Sequence, residues 1–217
     1  MDNQLLRTFD YVGAPDRVTF GKGTINQLPS LVDKLGAKAV MILSTPEQAE
    51  LAQRIQDILG DTATAKFTGA AMHTPTHITE EAVLLAKTSA VDGIVSVGGG
   101  STIGLGKAIS IRTGLAHLAI PSTYAGSEMT PILGETENGR KVTRRDPRIL
   151  PTAVLYDVDL TMTLPINMSV YSGINAIAHA GWSLEAHIPL FMLFWQPDHL
   201  NICSQWRPFT PATPIPS

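Results

Sequence analysis

Asp92-Gly-Ile-Val-Ser-Val-Gly-Gly-Gly-Ser-Thr-Ile-Gly-Leu-Gly-Lys107 decides the fold class of this chain. Ile94, Val95 and Val97 make a short β-branched run, the pattern of a buried strand. Gly98, Gly99 and Gly100 end it. Beyond Ser101, the apolar positions Ile103, Leu105, Ala108 and Ile109 follow helical spacing. A strand that passes through glycines into a helix sets bare backbone N–H groups at the positive end of that helix. Such a turn suits a phosphate or pyrophosphate. Ser101 is expected near the N-cap with its hydroxyl available to donate, and Lys107 lies two turns further on. The alternative is a glycine turn without a ligand. Two named motifs do not fit. A P-loop needs Gly and Ser/Thr where Ser101 and Ala108 stand, and a G-x-G-x-x-G turn would end one residue before Gly104.

On either side of this stretch, strands and helices alternate. Residues 17–20 read as a strand, followed by a helix capped by Thr24, with Ile25, Leu28, Leu31, Val32 and Leu35 as its apolar face. Residues 38–43 form a compact apolar strand. Ser44-Thr-Pro46 opens the next helix, with proline in its first turn and Gly60 at its end. Residues 63–67 read as a strand, 76–90 as a helix and 117–120 as a strand closed by Pro121. Residues 132–143 read as a hairpin around Asn138-Gly139, and 153–156 as a further strand. This alternation predicts an α/β fold, a parallel sheet with helices on both faces. From Pro165 the spacing turns helical through Met168, Ile174 and Ala180. Residues 1–160 are therefore expected to form the α/β domain and 161–180 the start of a helical domain.

Composition narrows the partners. The chain has 217 residues, 16 basic and 19 acidic, a net charge of −3 and no basic patch, which makes nucleic acid a poor partner. Cys203 is the only cysteine, so no intramolecular disulfide framework exists. The N-terminus lacks the apolar core of a signal peptide, and no run of 18 apolar residues is present to span a membrane. A cytoplasmic protein is expected. Residues 181–217 hold all three tryptophans and six of the 15 prolines. Pro208, Pro211, Pro214 and Pro216 exclude a regular helix there, so 181–217 reads as an aberrant tail.

Four runs occur in a telling order: Gly98-Gly-Gly-Ser-Thr-Ile-Gly-Leu-Gly-Lys107, Pro121-Ser-Thr-Tyr-Ala-Gly-Ser-Glu-Met-Thr-Pro131, Asp157-Val-Asp-Leu-Thr161 and Ser172-Gly-Ile-Asn-Ala-Ile-Ala-His-Ala180. Over residues ~10 to 180 this order resembles the iron-containing alcohol dehydrogenase superfamily, and within it the maleylacetate reductases. The resemblance implies an N-terminal α/β dinucleotide-binding domain, a C-terminal helical domain and an active site in the cleft between them. It implies NADH or NADPH as cofactor and a small dicarboxylate, maleylacetate, as substrate, reduced to 3-oxoadipate in the breakdown of aromatic compounds. It leaves a homodimer open. The competing readings are a metal-dependent alcohol dehydrogenase of the same superfamily and a nucleotide-binding module without catalysis.

Carried over by position, the resemblance places Gly98, Gly99, Gly100 and Ser101 on the pyrophosphate. It places Ser122, Thr123 and Tyr124 along the adenosine and nicotinamide side, with Ser127 closing that motif and Lys141 facing the cofactor. Ser44 and Thr45 stand where dehydrogenases of this type often carry Asp; without a carboxylate to repel a 2′-phosphate, NADPH is as admissible as NADH. Metal-using members place Asp and His four apart on one helix, where Asn175 and His179 stand here. A neutral amide is a poor ligand for a divalent cation, so no metal is expected. His179 is the catalytic candidate, orienting substrate or moving a proton. His73 and His77, separated by Pro75, are expected in a loop near the cofactor cleft, and His187 and His199 carry no role. The resemblance also implies a long helical domain after His179, whereas 38 residues follow it. Codons compatible with residues 196–200, read one base later, can encode Asn-Pro-Ile-Ile, a run the resemblance places further along in relatives. A truncated, inactive chain ending in frameshifted or retained non-coding sequence is therefore expected, with a genuine short protein as the alternative.

Overall fold

The computed structural model describes residues 15–185 except 138 and 163. The strands are β1 (Arg17–Gly21), β2 (Val40–Leu43), β3 (Ala63–Phe67), β4 (Gly93–Gly98), β5 (Ala116–Pro121), β6 (Ile132–Glu137), β7 (Arg140–Arg145) and β8 (Ala153–Asp157). Six of them form one sheet in the order β1-β8-β5-β4-β2-β3. All five of its pairings are parallel. β6 and β7 form a separate antiparallel hairpin. The helices are α1 (Leu28–Lys34), α2 (Ala49–Leu59), α3 (Thr76–Thr88), α4 (Gly100–Thr113), α5 (Val158–Thr161) and α6 (Ile166–Glu185). Among the described residues no helix is long and apolar enough to cross a membrane.

Helices cover both faces, because successive side chains of a strand point to opposite sides. Val40 and Ile42 of β2 and Val95 and Val97 of β4 pack with Ile25 and Leu28 and with Ala52 and Ile55 of α2. Met41, Leu43 and Ile94 pack on the other side with Ala82 and Ala86 of α3 and Leu105 and Ile109 of α4. Every residue of β2 and β4 is buried, as expected of central parallel strands covered twice. Truncating a residue such as Leu105 to Ala in this setting costs about 2–5 kcal/mol.

This arrangement defines where a ligand can enter. The chain leaves β2 toward the α1–α2 face and leaves β4 toward the α3–α4 face. β2 and β4 are neighbours. The segments after them diverge and open a crevice at the carboxyl ends of those two strands, the usual ligand position in open α/β sheets.

Local details differ from the sequence expectations, each for a physical reason. Thr24 does not cap the first helix. Gly23, in a left-handed conformation, precedes a 3₁₀ turn, and the Thr24 hydroxyl donates to the carbonyls of Gly21 and Tyr156. Asp157 takes over the capping, accepting from the backbone N–H groups of Gly23, Ile25 and Asp159 at 2.9–3.0 Å. The strand expected from residue 38 starts at Val40, because the N–H groups of Lys38 and Ala39 donate to the Asp92 carboxylate. α3 ends at Thr88, with Ala90 at φ +49°. His77 lies on α3, while His73 stays in the loop. α6 continues to Glu185, five residues past the expected end of helical pattern. Asn138 and the tail residues 186–217, with His187, His199 and Cys203, lie outside the described residues.

Candidate functional site at the glycine turn

α4 begins where the sequence places it, at the glycines, with Gly99 as its N-cap and Ser101 two residues on. The N–H groups of Thr102 and Ile103 both close on the Gly99 carbonyl. The amides of Gly100 and Ser101 lie ahead of those first intrahelical bonds, at the positive end of a 14-residue helix. Ser101 is the second helical residue, one position into the first turn.

The turn has room for glycine only at Gly98 and is tight at Gly99. Gly98 has φ +148°, and a Cβ there would lie 2.4 Å from Gln48 Oε1 and 2.7 Å from Thr102 Oγ1. A Cβ on Gly99 would lie 3.2 Å from Thr123 Cγ2. The bare backbone is therefore framed by Gln48, from the segment after β2, and Thr123, from the segment after β5. Thr102 Oγ1 is buried at this frame without a hydrogen-bond partner, which gives the turn an unused polar atom.

Gln48 ties the frame together. Its Nε2 donates to Ser122 Oγ at 2.8 Å, and Ser122 N–H donates to the Gly98 carbonyl at 2.9 Å. The carboxyl ends of β2, β4 and β5 thus meet through one glutamine side chain. Gln48 has no local signal beyond being a polar residue in the short turn opened by Thr45-Pro46 after β2.

The other candidates fall into two groups. Gly98, Gly99, Gly100, Ser101, Ser122 and Thr123 gather around the turn, with Tyr124 exposed on the same segment as Thr123 and Thr45 half-buried two residues past β2. Two of their neighbours point into the protein. Ser44 is buried and its hydroxyl donates to the Thr45 carbonyl. Ser127 accepts from Lys107 through its carbonyl and hydroxyl. Glu47, fully exposed beside Thr45, has its carboxyl held below the ordinary value by a hydrogen bond to its own backbone and by the Thr45 side chain. Lys141 is exposed on β7 opposite Thr136. The opposite face of that hairpin carries Leu133 and Glu135 onto α4, where Arg112 pairs with Glu135 at 2.7 Å, so Lys141 projects away from α4. Asn175 and His179 lie four apart on α6, and their side chains are outside those described.

Behind the turn lies a buried polar cluster. Tyr156 donates to Glu128 Oε1 at 2.7 Å, and Glu128 is 3% exposed. Burial pushes the Glu128 carboxyl up, against the Tyr156 bond, its own backbone bond and the Lys107 charge. Burial, followed by the Glu128 charge, also raises the Tyr156 phenol. His117 pairs with Ser96 Oγ at 2.7 Å, and burial, followed by the Lys107 charge, lowers it to about 3. That imidazole is neutral and structural. Among the described residues no group of three or more His, Cys, Asp or Glu is placed to hold a metal ion.

Comparison with known proteins agrees with this architecture. The sequence pattern of the family described as iron-containing alcohol dehydrogenase matches residues 15–158. A maleylacetate reductase of Burkholderia cepacia is 53% identical over 171 residues, 79% of this chain and 49% of the relative. A maleylacetate reductase of Rhizobium sp. (strain MTP-10005) is 48% identical over 181 residues, covering 83% and 52%. The crystal structure of a maleylacetate reductase from Agrobacterium tumefaciens superposes with a TM-score of 0.77 at 48% identity, covering 81% of this chain and 50% of that one. The chain spans about half the length of the curated relatives it matches.

Proposed function

The chain belongs to the iron-containing alcohol dehydrogenase family, and on that premise we propose that it carries the NAD(P)H-binding half of a reductase of the maleylacetate type. The observation that carries this reading is the glycine turn. Bare amides of Gly100 and Ser101 stand at the N-terminus of α4, in the crevice between β2 and β4, where any side chain on Gly98 would collide with Gln48 and Thr102. Such a turn holds a pyrophosphate through backbone N–H groups and the helix dipole. Ser101 adds a hydroxyl donor. Thr123 and Tyr124 flank the nucleotide on the β5 side and Thr45 on the β2 side. The relatives' name supplies the substrate class, a small dicarboxylate with an electron-poor alkene.

The bound cofactor supplies a hydride. The chain's own residues bind it, orient it and exclude side chains from the pyrophosphate. Substrate must be held within near-attack reach of the nicotinamide. His179 on α6 is the group we assign to orienting the substrate or moving its proton, and Lys141 the cation offered from the hairpin. Asn175 and His179 provide one neutral amide and one imidazole, a donor set unsuited to a divalent cation, so no step is routed through a metal.

The test has two arms. NADH is titrated into the 217-residue chain, and NADH-dependent reduction of maleylacetate is measured for it and for a version extended by a relative's second half. Binding in both and turnover only in the extended protein is the expected result. Binding without turnover in either indicates a nucleotide-binding module. Comparable turnover by the 217-residue chain refutes the expectation that turnover needs the second half.

A further inference from the structure

The nucleotide reading uses the front of α4 and leaves Lys107 without a task. Lys107 is fully buried, an expensive place for an ammonium. Its Nζ is within hydrogen-bond distance of five oxygens, all from the segment 127–132. They are the carbonyl and hydroxyl of Ser127, the hydroxyl at 3.3 Å; the carbonyl and hydroxyl of Thr130 at 2.8 and 3.2 Å; and the Ile132 carbonyl at 3.0 Å. An ammonium has three N–H groups and accepts nothing, so the segment offers more oxygens than one lysine needs. An all-oxygen shell of this kind is what hard cations take. Glu128, in the same segment, supplies a nearby opposite charge.

Burial pushes the ammonium down to about 7, and Glu128 opposes that. The shell favours the charged form as well, since a neutral amine would turn a lone pair toward an oxygen. The preceding residues 122–126 are pinned at their other end, where Ser122 bonds to Gly98 and Gln48.

We propose that Lys107 is a positioning residue: a tethered cation around which residues 127–132 are wound, fixing the far end of the Ser122–Gly126 stretch against the glycine turn. Its effect on the cofactor rests on the nucleotide reading; its effect on the segment does not. With the pin in place, the stretch carrying Thr123 and Tyr124 is ordered before a ligand arrives, so binding does not bear that ordering cost.

Lys107→Met tests this in the full 217-residue chain, because it keeps the length of the stem and removes the ammonium. Hydrogen exchange of peptides covering 122–132 is expected to quicken about tenfold, the loss of roughly one charge-assisted hydrogen bond, with exchange in β2 and β4 unchanged. Ammonium chloride restores slow exchange, and tetramethylammonium chloride, whose ion is too large for the shell, does not. NADH affinity falls about tenfold and recovers with ammonium. Unchanged exchange in 122–132 overturns the proposal. Acceleration that ammonium fails to reverse also overturns it, reducing Lys107 to a packing residue. Wild-type protein that does not bind NADH sinks the nucleotide reading alone, while the exchange data still decide the pin. Should Lys107→Met not fold, Lys107→Gln, with two N–H donors, carries the same test: partial acceleration supports the pin, and none overturns it.

Discussion

Gly98→Ala probes the glycine turn most sharply through stability. The new methyl group stands 2.4 Å from Gln48 Oε1 and 2.7 Å from Thr102 Oγ1, at a backbone φ of +148°. Holding a non-glycine residue in that conformation costs about 1–3 kcal/mol. Thr102 is buried on α4 and cannot withdraw; Gln48 can, but only by giving up its bond to Ser122, worth about 0.5–1.5 kcal/mol. Together these predict a loss of about 2–4 kcal/mol. For a chain of this length the melting temperature then falls by roughly 4–16 °C. The assay is thermal unfolding by circular dichroism on a double-mutant cycle with Gln48→Ala. Removing Gln48 first relieves its part of the clash and removes the Ser122 bond in advance, so the alanine should cost about 1 kcal/mol less in that background. Strict additivity of the two changes would refute the described contact between the β2 and β4 termini.

Two further outcomes follow from other parts of the structure. Asp157→Ala strands three backbone N–H groups, of Gly23, Ile25 and Asp159, and is expected to destabilise by about 3 kcal/mol in urea unfolding; a loss below about 1 kcal/mol would contradict this capping role. Asp146 is held down to about 2 by its hydrogen bonds to the Arg148 side chain and backbone. Because its folded value lies below the ordinary one, its contribution is complete above about pH 4 and is lost as pH falls toward 2. Arg148→Ala should return Asp146 toward the ordinary carboxylate value in an NMR titration, and no change would show that the pair does not form.

Much of this architecture was legible from local pattern. The strands β3, β5 and β8, each within a residue of its expected bounds, and the glycine-led helix α4 follow from β-branched runs and 3.6-residue spacing, and a parallel sheet follows from their alternation. The strand order does not: β1 pairs with β8, more than a hundred residues away, and no local signal encodes such a partner. The cradle residues Gly98 to Ser101 were readable because three successive glycines stand between the β-branched run and the helical spacing, and at Gly98 the structure leaves no room for a side chain. Gln48 was not, since its importance comes from reaching Ser122 across 74 residues. Lys107 illustrates the same limit. By residue type it belongs on the surface, and it is buried because segment 127–132 brings oxygens to it from elsewhere. Asp157 caps in place of Thr24 for a similar reason, the better acceptor for the first-turn amides being remote in sequence.

The central claim is that the bare backbone at the head of α4 receives the pyrophosphate of NADH. Isothermal titration of NADH into the 217-residue chain and into Gly99→Val tests it directly. The valine places branched carbons where even a Cβ would stand 3.2 Å from Thr123, at the head of the turn that is to receive the phosphate. Weak but measurable binding to the wild-type chain, abolished in a folded Gly99→Val variant, is the predicted result. Equal NADH affinity in the two proteins would contradict the claim.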